Sequence, residues 1–507
     1  MASYNGSFKN KYGRQTIYIN RTEEELLKQN IWQLRKTLSD YIPAIVDIHS
    51  INKARTRYLW DYYLGIQDIQ DKIKHTRDEI NNKKVENWAY AMVDFKKAWQ
   101  LGNPIQYIMI NSSSSEEIEN LNKYVRYENK ESKDQLAYED VLVVGRGFRY
   151  QNSKNMKEDD EAPFEILNID RDTCEVVYSS GIRHEQLFSV IITDMEEVVK
   201  TKEEEKIVEY LEITIYLRNK RLVCEYRDGK IKWISNTKIL LNEHVITEYY
   251  TNRDRISLIE IGKDLFDGIN QIESLDFDDM EQFVNAFMVF TNAQVDEEEM
   301  DNIKQLGAIN IKSTENKKAS VALLQNRLNA TDTQVFYTRL LTSLFQILGV
   351  PMATDSGSLI TGDTGKAKLT GQGYTSAGIR AKTDETMFKM CDFNSLKVLL
   401  KICKANKKSQ IRNLKASEVD SKMNRDMSDN LLVKAQGLMN LLQSGIPKQY
   451  ALPVINLFSD SNAVVQAMEK EEAKKQEIAQ DIQNNQNRIQ QQNNQIKNIV
   501  EKENQEQ

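Results

Sequence analysis

Three stretches in the first hundred positions carry apolar residues at helical spacing. Residues 22–38, "RTEEELLKQNIWQLRKT", place their leucines and isoleucine on one helix face and crowd acidic residues into the first turn. A second stretch covers about 52–64 and stops at Gly65, and a third covers 83–101 and ends before "GNP". The chain is therefore predicted to begin with three helices.

Between 104 and 250 the period of the apolar pattern changes to two. Polar turns separate short segments that alternate apolar and polar residues or are rich in Val, Ile and aromatic residues, as strands are. The strand candidates are "VLVVGRGFRY", "PFEILNID", "CEVVYSS", "LFSVIITD", "VEYLEITIYL", "LVCEYRD" and "IKWISN". A sheet following a helical start predicts the α+β fold class.

Helical periodicity then returns. It predicts a long helix over 263–286, a second over 332–348 and a very long one over about 374–405. Between the first two lies a small module, predicted as strand "AFMVFTN", helix "DEEEMDNIKQ", strand "AINIKS" and a final "ASVALLQN". Two or three shorter helices are predicted over 426–468.

The last 40 residues are charged and rich in Gln and Asn, which predicts either a solvated helix or disorder and no packed core.

Composition excludes several classes of protein. The 507 residues carry a net charge of −7, so any nucleic-acid contact has to be local. No run of about 18 apolar residues occurs, so no membrane span is expected. The first residues lack the apolar stretch of a signal peptide, and four scattered cysteines are typical of reduced thiols in a protein made in the cytoplasm.

Residues 359–373, "LITGDTGKAKLTGQG", suggest a phosphate-binding loop. That loop needs G-x-x-x-x-G-K-[ST], in which backbone amides wrap the phosphates and a hydroxyl binds magnesium. The first glycine position is Ile360 and the hydroxyl position is Ala367, and the segment follows a predicted helix instead of a strand. An NTPase site is not supported.

Other catalytic patterns are equally incomplete. "GRGF" at 145–148 begins like a dinucleotide loop but lacks the third glycine and a following helix, so a strand turn is the simpler interpretation. The four histidines have no metal-ligand spacing, and the acidic runs are typical of solvated faces. We expect no enzyme activity, no catalytic residues, no cofactor and no metal.

One predicted helix is unusual because residues 264–284 contain seven acidic side chains and no Lys or Arg. A solvated helix normally mixes signs to form i,i+4 pairs. One interpretation is an acidic helix paired with basic groups elsewhere in the chain. The other is a wall that repels phosphate, along which a duplex slides, because DNA binding depends on Lys and Arg releasing counterions. A few lysines on a mobile loop would add weak, sequence-independent backbone contacts.

The order of segments resembles that of the portal proteins of long-tailed bacteriophages. "RYLWDYYLGIQDI" is similar to the family's tyrosine-rich segment, and "VENWAYAMVDFKKAWQLGNPIQY" to its helix and turn. "PFEILNIDRDTCEVVYSS", "SLIEIGKDLFDGINQIESLDFDDMEQFVNAFMVF", "TQVFYTRLLTSLFQILGVP", "TGKAKL" and "NRDMSDNLLVKAQGLMNLLQSGIPKQYAL" resemble later family segments in the same order. The resemblance covers about 55–468. Thr364 stands where the family usually has Ser, and Lys368-Leu369 reverses a common order of apolar and basic residues.

The resemblance implies an elongated, ring-forming α+β subunit with four parts: a wing of helices plus mixed sheet, a two-helix stem, a small α/β clip and a helical crown. The wing would be 1–250 with a long kinked helix at 374–409, the stem helices 251–286 and 328–351, the clip 287–327 and the crown 410–468. A tunnel loop (352–373) would join the stem to the long wing helix, and a tail (469–507) would follow the crown.

It also implies a function and partners. Twelve copies would form a channel for double-stranded DNA at one capsid vertex of the virion and dock the terminase large subunit, then the head-tail adaptor and tail, with the major capsid protein and the scaffold as further contacts. The implied channel-lining stem residues are Asp264, Asp267, Glu273, Asp276 and Asp279. The implied tunnel-loop contacts to DNA are Thr361, Thr364, Lys366 and Lys368. The implied clip contacts are Asp296, Glu297, Glu298, Glu299, Lys312, Lys317 and Lys318.

Two alternatives stay open. A non-enzymatic cytoplasmic scaffold would form no ring and would not affect DNA packaging. A metal-dependent DNA-processing enzyme would show magnesium-dependent nuclease or ATPase activity.

Overall fold

The chain combines helices with several small sheets. The computed structural model describes residues 12–75, 78–110, 116–158, 161–200, 205–284, 287–291, 320–324, 330–352, 374–423, 431–455 and 461–503. The mixture confirms the predicted α+β class.

The helices are α1 Glu23–Lys28, α2 Ile31–Tyr63, α3 Trp88–Leu101, α4 Glu116–Tyr127, α5 Lys130–Val144, α6 Leu258–Val284, α7 Ala330–Leu348, α8 Tyr374–Ala405, α9 Leu431–Gln443, α10 Lys448–Ile455 and α11 Ser461–Glu503. The strands are β1 Ile17–Ile19, β2 Gln106–Met109, β3 Gly147–Ser153, β4 Phe164–Ile169, β5 Cys174–Ser179, β6 Gln186–Lys200, β7 Glu205–Tyr216, β8 Lys220–Arg227, β9 Lys230–Lys238, β10 Ile246–Tyr249, β11 Phe287–Thr291, β12 Ser320–Leu324 and β13 Val419–Lys422.

A six-stranded sheet with the order β1-β5-β6-β7-β8-β9 forms the largest layer of strands. Only β1 pairs in parallel, with β5, and the other neighbours are antiparallel hairpins. Helix α2 buries Leu38, Ile42 and Ile45 against one face of this sheet, where they meet Phe188 and Ile213. Three smaller sheets have the orders β10-β3-β4, β11-β12 and β13-β2.

A second core joins the two halves of the chain. Residues of α2, α3 and α5 pack there with α6, α7 and α8, and Phe266, Leu344 and Phe388 are almost fully buried in it. A third core packs α4 and β4 against the C-terminal half of α8. Helix α8, predicted as one long element over 374–405, thus spans two cores, which explains its unbroken length.

The N-terminal helices differ from the prediction. The predicted helix 22–38 is broken at Asn30, which caps α2. The side chain of Asn30 accepts from the backbone N–H of Gln33, and the side-chain oxygen of Gln33 accepts from the backbone N–H of Asn30. Helix α2 then continues through the predicted start at 52 and includes Pro43. Apolar residues keep helical spacing across this whole interval. Because they pack against the six-stranded sheet, that contact stabilises one continuous helix.

Two helices occupy part of the region predicted as strands. Helices α4 and α5 lie between β2 and β3, and "VLVV" of the first strand candidate is the last turn of α5. Helix α5 is buried nearly all round, from Ala137 to Val144, so its sequence lacks the one-sided pattern that marks an amphipathic helix.

The "GRGF" turn is a helix end. Gly145 has φ of +86° and donates its N–H to the carbonyl of Val141, and β3 begins at Gly147. A dinucleotide loop follows a strand and opens a helix, and here the order is reversed. A Cβ atom on Gly145 would lie 2.0 Å from the carbonyl oxygen of Arg255, so a close backbone approach also requires glycine.

The remaining strand candidates correspond to β4 through β9, and the helices predicted at 263–286 and 332–348 correspond to α6 and α7. The predicted helix "DEEEMDNIKQ" and strand "AINIKS" lie outside the described residues, whereas the strands flanking them form the antiparallel pair β11–β12. Of the two alternatives for the tail, the structure has the helix, α11, with exposed side chains over 469–480 and 482–489.

Candidate functional site

Helices α6 and α7 form an antiparallel pair whose far ends lead into the strand pair β11–β12. Leu344 packs near Gly262 at the start of α6, and Leu340 packs near Gly268 further along. A Cβ atom on Gly268 would stand 3.3 Å from Leu340, so the missing side chain lets the helices approach closely. Trp88 of α3 meets the ring of Phe345 edge-on and extends this contact.

The two ends of the segment between α7 and α8 are held together. Arg380, in the second turn of α8, donates to the carbonyl of Ile347 at 2.7 Å, next to the C-terminus of α7. A cation is favourable there because carbonyl groups at a helix end carry partial negative charge. The predicted loop residues Thr361, Thr364, Lys366 and Lys368 belong to this segment and lie outside the described residues, as do the predicted docking residues from Asp296 to Glu299 and Lys312, Lys317 and Lys318.

One face of α6 carries a ladder of four polar side chains, three of which are paired with a preceding segment of the chain. The ladder consists of Asp267, Asn270, Ser274 and Asp278, spaced three and four residues apart. The segment is 64–87, called the strap below. It runs between α2 and α3 and includes a short 3₁₀ turn at Asp68–Asp71.

The middle of the ladder is bonded mainly to the backbone of the strap. The backbone N–H of Glu86 donates to Asn270 at 2.8 Å, and that of Lys84 donates to the hydroxyl of Ser274 at 3.0 Å. The amide of Asn270 in turn donates to the side chain of Gln67 at 2.5 Å. The fully buried polar groups of Asn270 and Ser274 are therefore paired, as burial requires.

The far end of the ladder is an ion pair. Lys72 and Lys74 place their ammonium groups 3.3 and 3.2 Å from one oxygen of Asp278, and Asn82 donates to the other oxygen. Burial alone would raise the pKa of the Asp278 carboxyl. The hydrogen bonds from Asn82 and the two lysines outweigh it, so the pKa lies below its usual value.

The near end of the ladder is also paired. Tyr62 donates its hydroxyl to Asp267 at 2.7 Å, and Lys263 lies 2.6 Å from the same carboxylate. Burial and the bond to Asp267 raise the pKa of Tyr62 well above its ordinary value. Lys263 also shows that the acidic helix is not free of cations, because α6 begins six residues before the cation-free stretch 264–284.

The predicted channel-lining acids therefore fall into groups. Asp264 is exposed and Asp267 is paired within the subunit. Glu273 and Asp276 are half-buried, and burial raises the pKa of both carboxyls, with Glu86 and Asp276 adding to the effect at Glu273. Asp279 is also half-buried. Their proposed orientation toward a channel stays a prediction.

A buried ionic cluster anchors α8 to the rest of the chain. Lys130 of α5 contacts Asp134 at 2.8 Å and Asp392 of α8 at 2.9 Å, and Arg149 contacts Asp134 at 2.7 Å. Tyr107 completes the cluster by donating to Asp392. Two cations facing two carboxylates leave the cluster neutral, which is the condition for burying charge at low cost.

A second buried cluster fixes α2 and β5. Arg146 grips Glu175 with two bonds of 2.6 and 2.7 Å, while His49 and Asn52 of α2 contact the same carboxylate. Burial opposes ionisation, but the charge and hydrogen bonds of Arg146 outweigh it and lower the pKa of Glu175 to about 2. No sequence motif marked either cluster, because their members come from distant segments.

The ladder had a signal that sequence reasoning passed over. Asn270 and Ser274 sit among the apolar positions of α6, and polar residues there require buried partners. Within the described ranges, no three His, Cys, Asp or Glu side chains lie together so as to hold a metal ion. The same part of the chain contains no helix long and apolar enough to cross a membrane.

Comparison with models of protein families defines the class: this is a phage portal protein. The matching family is described as phage portal protein, SPP1 Gp6-like, and the match covers residues 44–478 of the 507. The chain belongs to that family, which confirms the resemblance drawn from the sequence. No match was found among curated proteins. The family is generally structural and non-enzymatic, and its members belong to the phage capsid.

Proposed function

We propose that twelve copies of this chain close into a ring at one capsid vertex, and that double-stranded DNA is packaged and ejected through its centre. The observation that carries the proposal is the family match over 44–478, together with an antiparallel helix pair capped by a strand pair. Exposed apolar side chains on this pair support burial between subunits. They are Ile261, Met280, Val335, Phe336 and Ile347.

The proposed parts of the subunit keep the bounds that the family resemblance implies. The wing would comprise 1–250 with the long helix 374–409, the stem helices 251–286 and 328–351, the clip 287–327, the tunnel loop 352–373 and the crown 410–468. Helices α6 and α7 would then belong to the stem, and strands β11 and β12 to the two ends of the clip. The tail 469–507 would extend from the crown.

DNA would be repelled by the acidic side chains of the stem and bound weakly by the lysines of the tunnel loop. Asp264, Glu273 and Asp276 are the predicted stem acids that supply charge with no ion pair inside the subunit among the described residues, so a wall built from them would keep phosphate mobile. Asp267 and Asp279 would contribute less. Lys366 and Lys368 would touch the DNA backbone without regard to sequence, helped by Thr361 and Thr364. Because Arg380 bonds the first turns of α8 to the end of α7, the two ends of that loop would lie close together.

The clip would dock the terminase large subunit during packaging and the head-tail adaptor and tail afterwards. Its acidic run from Asp296 to Glu299 and its lysines Lys312, Lys317 and Lys318 would make these contacts. The major capsid protein and the scaffold would contact the ring from the capsid side.

Native mass measurement of the purified protein tests the proposal against its alternatives. A ring of twelve has a mass of roughly 706 kDa (12 × 58.8 kDa). A cytoplasmic scaffold would be smaller or of undefined mass. Incubating the same sample with magnesium and DNA or ATP tests the other alternative, since a DNA-processing enzyme would cleave one of them. Absence of a closed ring would refute the proposal.

A further inference from the structure

Helix α11 is packed at its start and exposed along the rest of its described length. Val465 is buried, and Lys448 of α10 bonds to Glu472. The side chains of 469–480 and 482–489 are exposed, and beyond Glu472 none of them is paired with a described residue of another element. Isolated helices are marginal in water, and Asn, which occurs three times in 482–489, is a poor helix former. This part of α11 is therefore suited to gaining stability from a partner.

The large apolar side chains of residues 469–489 form one stripe. They are Ile478, Ile482 and Ile489, which are exposed by 59%, 54% and 57%. Spacings of four and seven residues place them on one face of the helix, and the sequence repeats the step of seven at Ile496. A step of seven corresponds to 3.5 residues per turn, the period of helices that supercoil around one another. We call this stripe the seam.

The seam has a defined beginning. In the same heptad register, the two positions before Ile478 are Glu471 and Lys475. Their side chains form an ion pair with each other at 3.0 Å, as is typical of a solvated helix face. The pattern of a coiled coil therefore starts at Ile478, beyond the part of α11 that packs on its own subunit.

The surroundings of the seam suit a second copy of the same helix. Thirteen of the 19 residues from 480 to 498 are Gln or Asn, and because amides both donate and accept, identical helices complement each other. The positions that face the neighbouring helix in a parallel pair include Ala479 and Gln486. Since both are uncharged, no like charges meet there. Asn485 lies in the seam between Ile482 and Ile489, where amides of several copies can bond in one layer and fix the register.

We propose that the tails of neighbouring copies of this chain form parallel coiled coils through the seam, with three or four helices in each bundle. Isoleucine at both kinds of seam position favours three or four helices over two. A closed tube of twelve helices would need two separate contact faces on each helix, whereas α11 has one narrow stripe. Bundles of three or four divide a ring of twelve without remainder. The ring supplies the parallel orientation and the closeness of the tails, so the inference rests on the proposed function.

Disulfide cross-linking counts the helices in each bundle. The variant Lys474→Cys/Ala479→Cys places cysteines on the two flanks of the seam, which meet between neighbouring parallel helices, and it keeps every isoleucine. All four native cysteines are buried. After oxidation of the purified full-length protein, denaturing electrophoresis without reductant should show covalent species of up to three or four chains and none larger.

The matched control, Ala473→Cys/Gln480→Cys, moves each cysteine by one residue to the side opposite the seam and should stay as single chains. Single chains or two-chain species alone from the test variant overturn the inference, and so does a series that continues toward twelve. Native mass before oxidation separates the two failures. An intact ring with either result removes the tail bundle alone, whereas wild-type protein that forms no ring removes the proposed function as well.

Tryptic cleavage gives a second readout. Cleavage after Arg488 requires local unwinding of α11, which a bundle opposes. Ile482→Ser/Ile489→Ser should therefore speed this cleavage by about tenfold or more in the full-length protein. The control Gln480→Ser/Asn487→Ser, on the opposite side of the helix, should change the rate by less than about twofold. Equal rates for the two variants overturn the role of the seam.

Discussion

Asn82 and Asp278, 196 positions apart in the chain, are joined by two hydrogen bonds to one carboxylate oxygen. The backbone N–H of Asn82 donates at 2.6 Å and its side-chain amide at 3.0 Å. The bonds fasten the strap to α6 three turns beyond Asp267, with Asn270 and Ser274 paired in between. One side of this helix is thereby committed to its own subunit, and other positions, such as Asp264, stay exposed.

Replacing Asp278 should weaken the fold. Asp278→Ala leaves Lys72 and Lys74 half-buried without their carboxylate and Asn82 without its acceptor. We expect a loss of about 2–3 kcal/mol in the free energy of unfolding, measured by urea denaturation. The control Asp264→Asn, at an exposed acid of the same helix, should change it by less than about 0.5 kcal/mol. Equal effects of the two variants would contradict the ladder.

Gly145 should tolerate no side chain. Gly145→Ala combines a positive φ with a Cβ only 2.0 Å from the Arg255 carbonyl, so the backbone has to move. The matched control is Gly229→Ala, which also has a positive φ (+74°) but no atom within 4 Å of the new Cβ. The control should cost about 1–2 kcal/mol and Gly145→Ala clearly more, measured by thermal unfolding. Similar losses would show that the close approach is unimportant.

Glu175 should make stability depend on pH in acid. Its pKa is lowered to about 2 in the folded chain from the ordinary 4.5, so its carboxylate stabilises the fold above pH 4.5 and this stability is lost as pH falls toward 2. Between pH 7 and pH 3.5 the loss from this group is about 1–1.5 kcal/mol.

The variant Glu175→Gln isolates that contribution. It leaves Arg146 buried without a carboxylate, so it should be less stable than the wild type at pH 7, by about 3 kcal/mol. The difference in the free energy of unfolding between the two proteins should shrink as the pH falls to 3.5. Urea denaturation of both proteins at each pH measures it. A difference that stays constant or grows would contradict the assignment.

The loop lysines should affect DNA rather than folding. Lys366→Glu/Lys368→Glu reverses two cations that we propose touch the backbone, so packaging and retention of DNA should fall while ring mass stays unchanged. The charge-matched control is Lys28→Glu/Lys36→Glu, at exposed positions of α1 and α2. Normal packaging and retention by the loop variant would remove the proposed role of the loop.

Periodicity predicted the elements that are amphipathic or alternate regularly. Helices α6, α7 and α8 and strands β4 to β9 follow from it. It failed for α5, because a helix buried on nearly every side has no polar face to reveal its period. It also divided α2, whose middle is held as helix by contacts with the sheet. Tertiary packing decided both cases.

The candidate site was predictable in outline only. Acidic residues concentrated in α6 are visible in the sequence, and the segment order identified the family. The sequence could not show that Asp267 is paired with α2 and Asp278 with the strap, because their partners Tyr62, Lys72 and Asn82 lie about 200 positions away. The first of the two interpretations, an acidic helix paired with basic groups elsewhere in the chain, thus holds for part of α6.

Electron cryomicroscopy of the purified protein would show whether the subunits form the proposed ring. We expect a closed ring of twelve subunits with an open centre, in which α6 and α7 line the bore, Asp264 points into it and the strap lies away from it. Isolated subunits, an open assembly, or a ring that places α6 on its outer surface would refute the proposed channel.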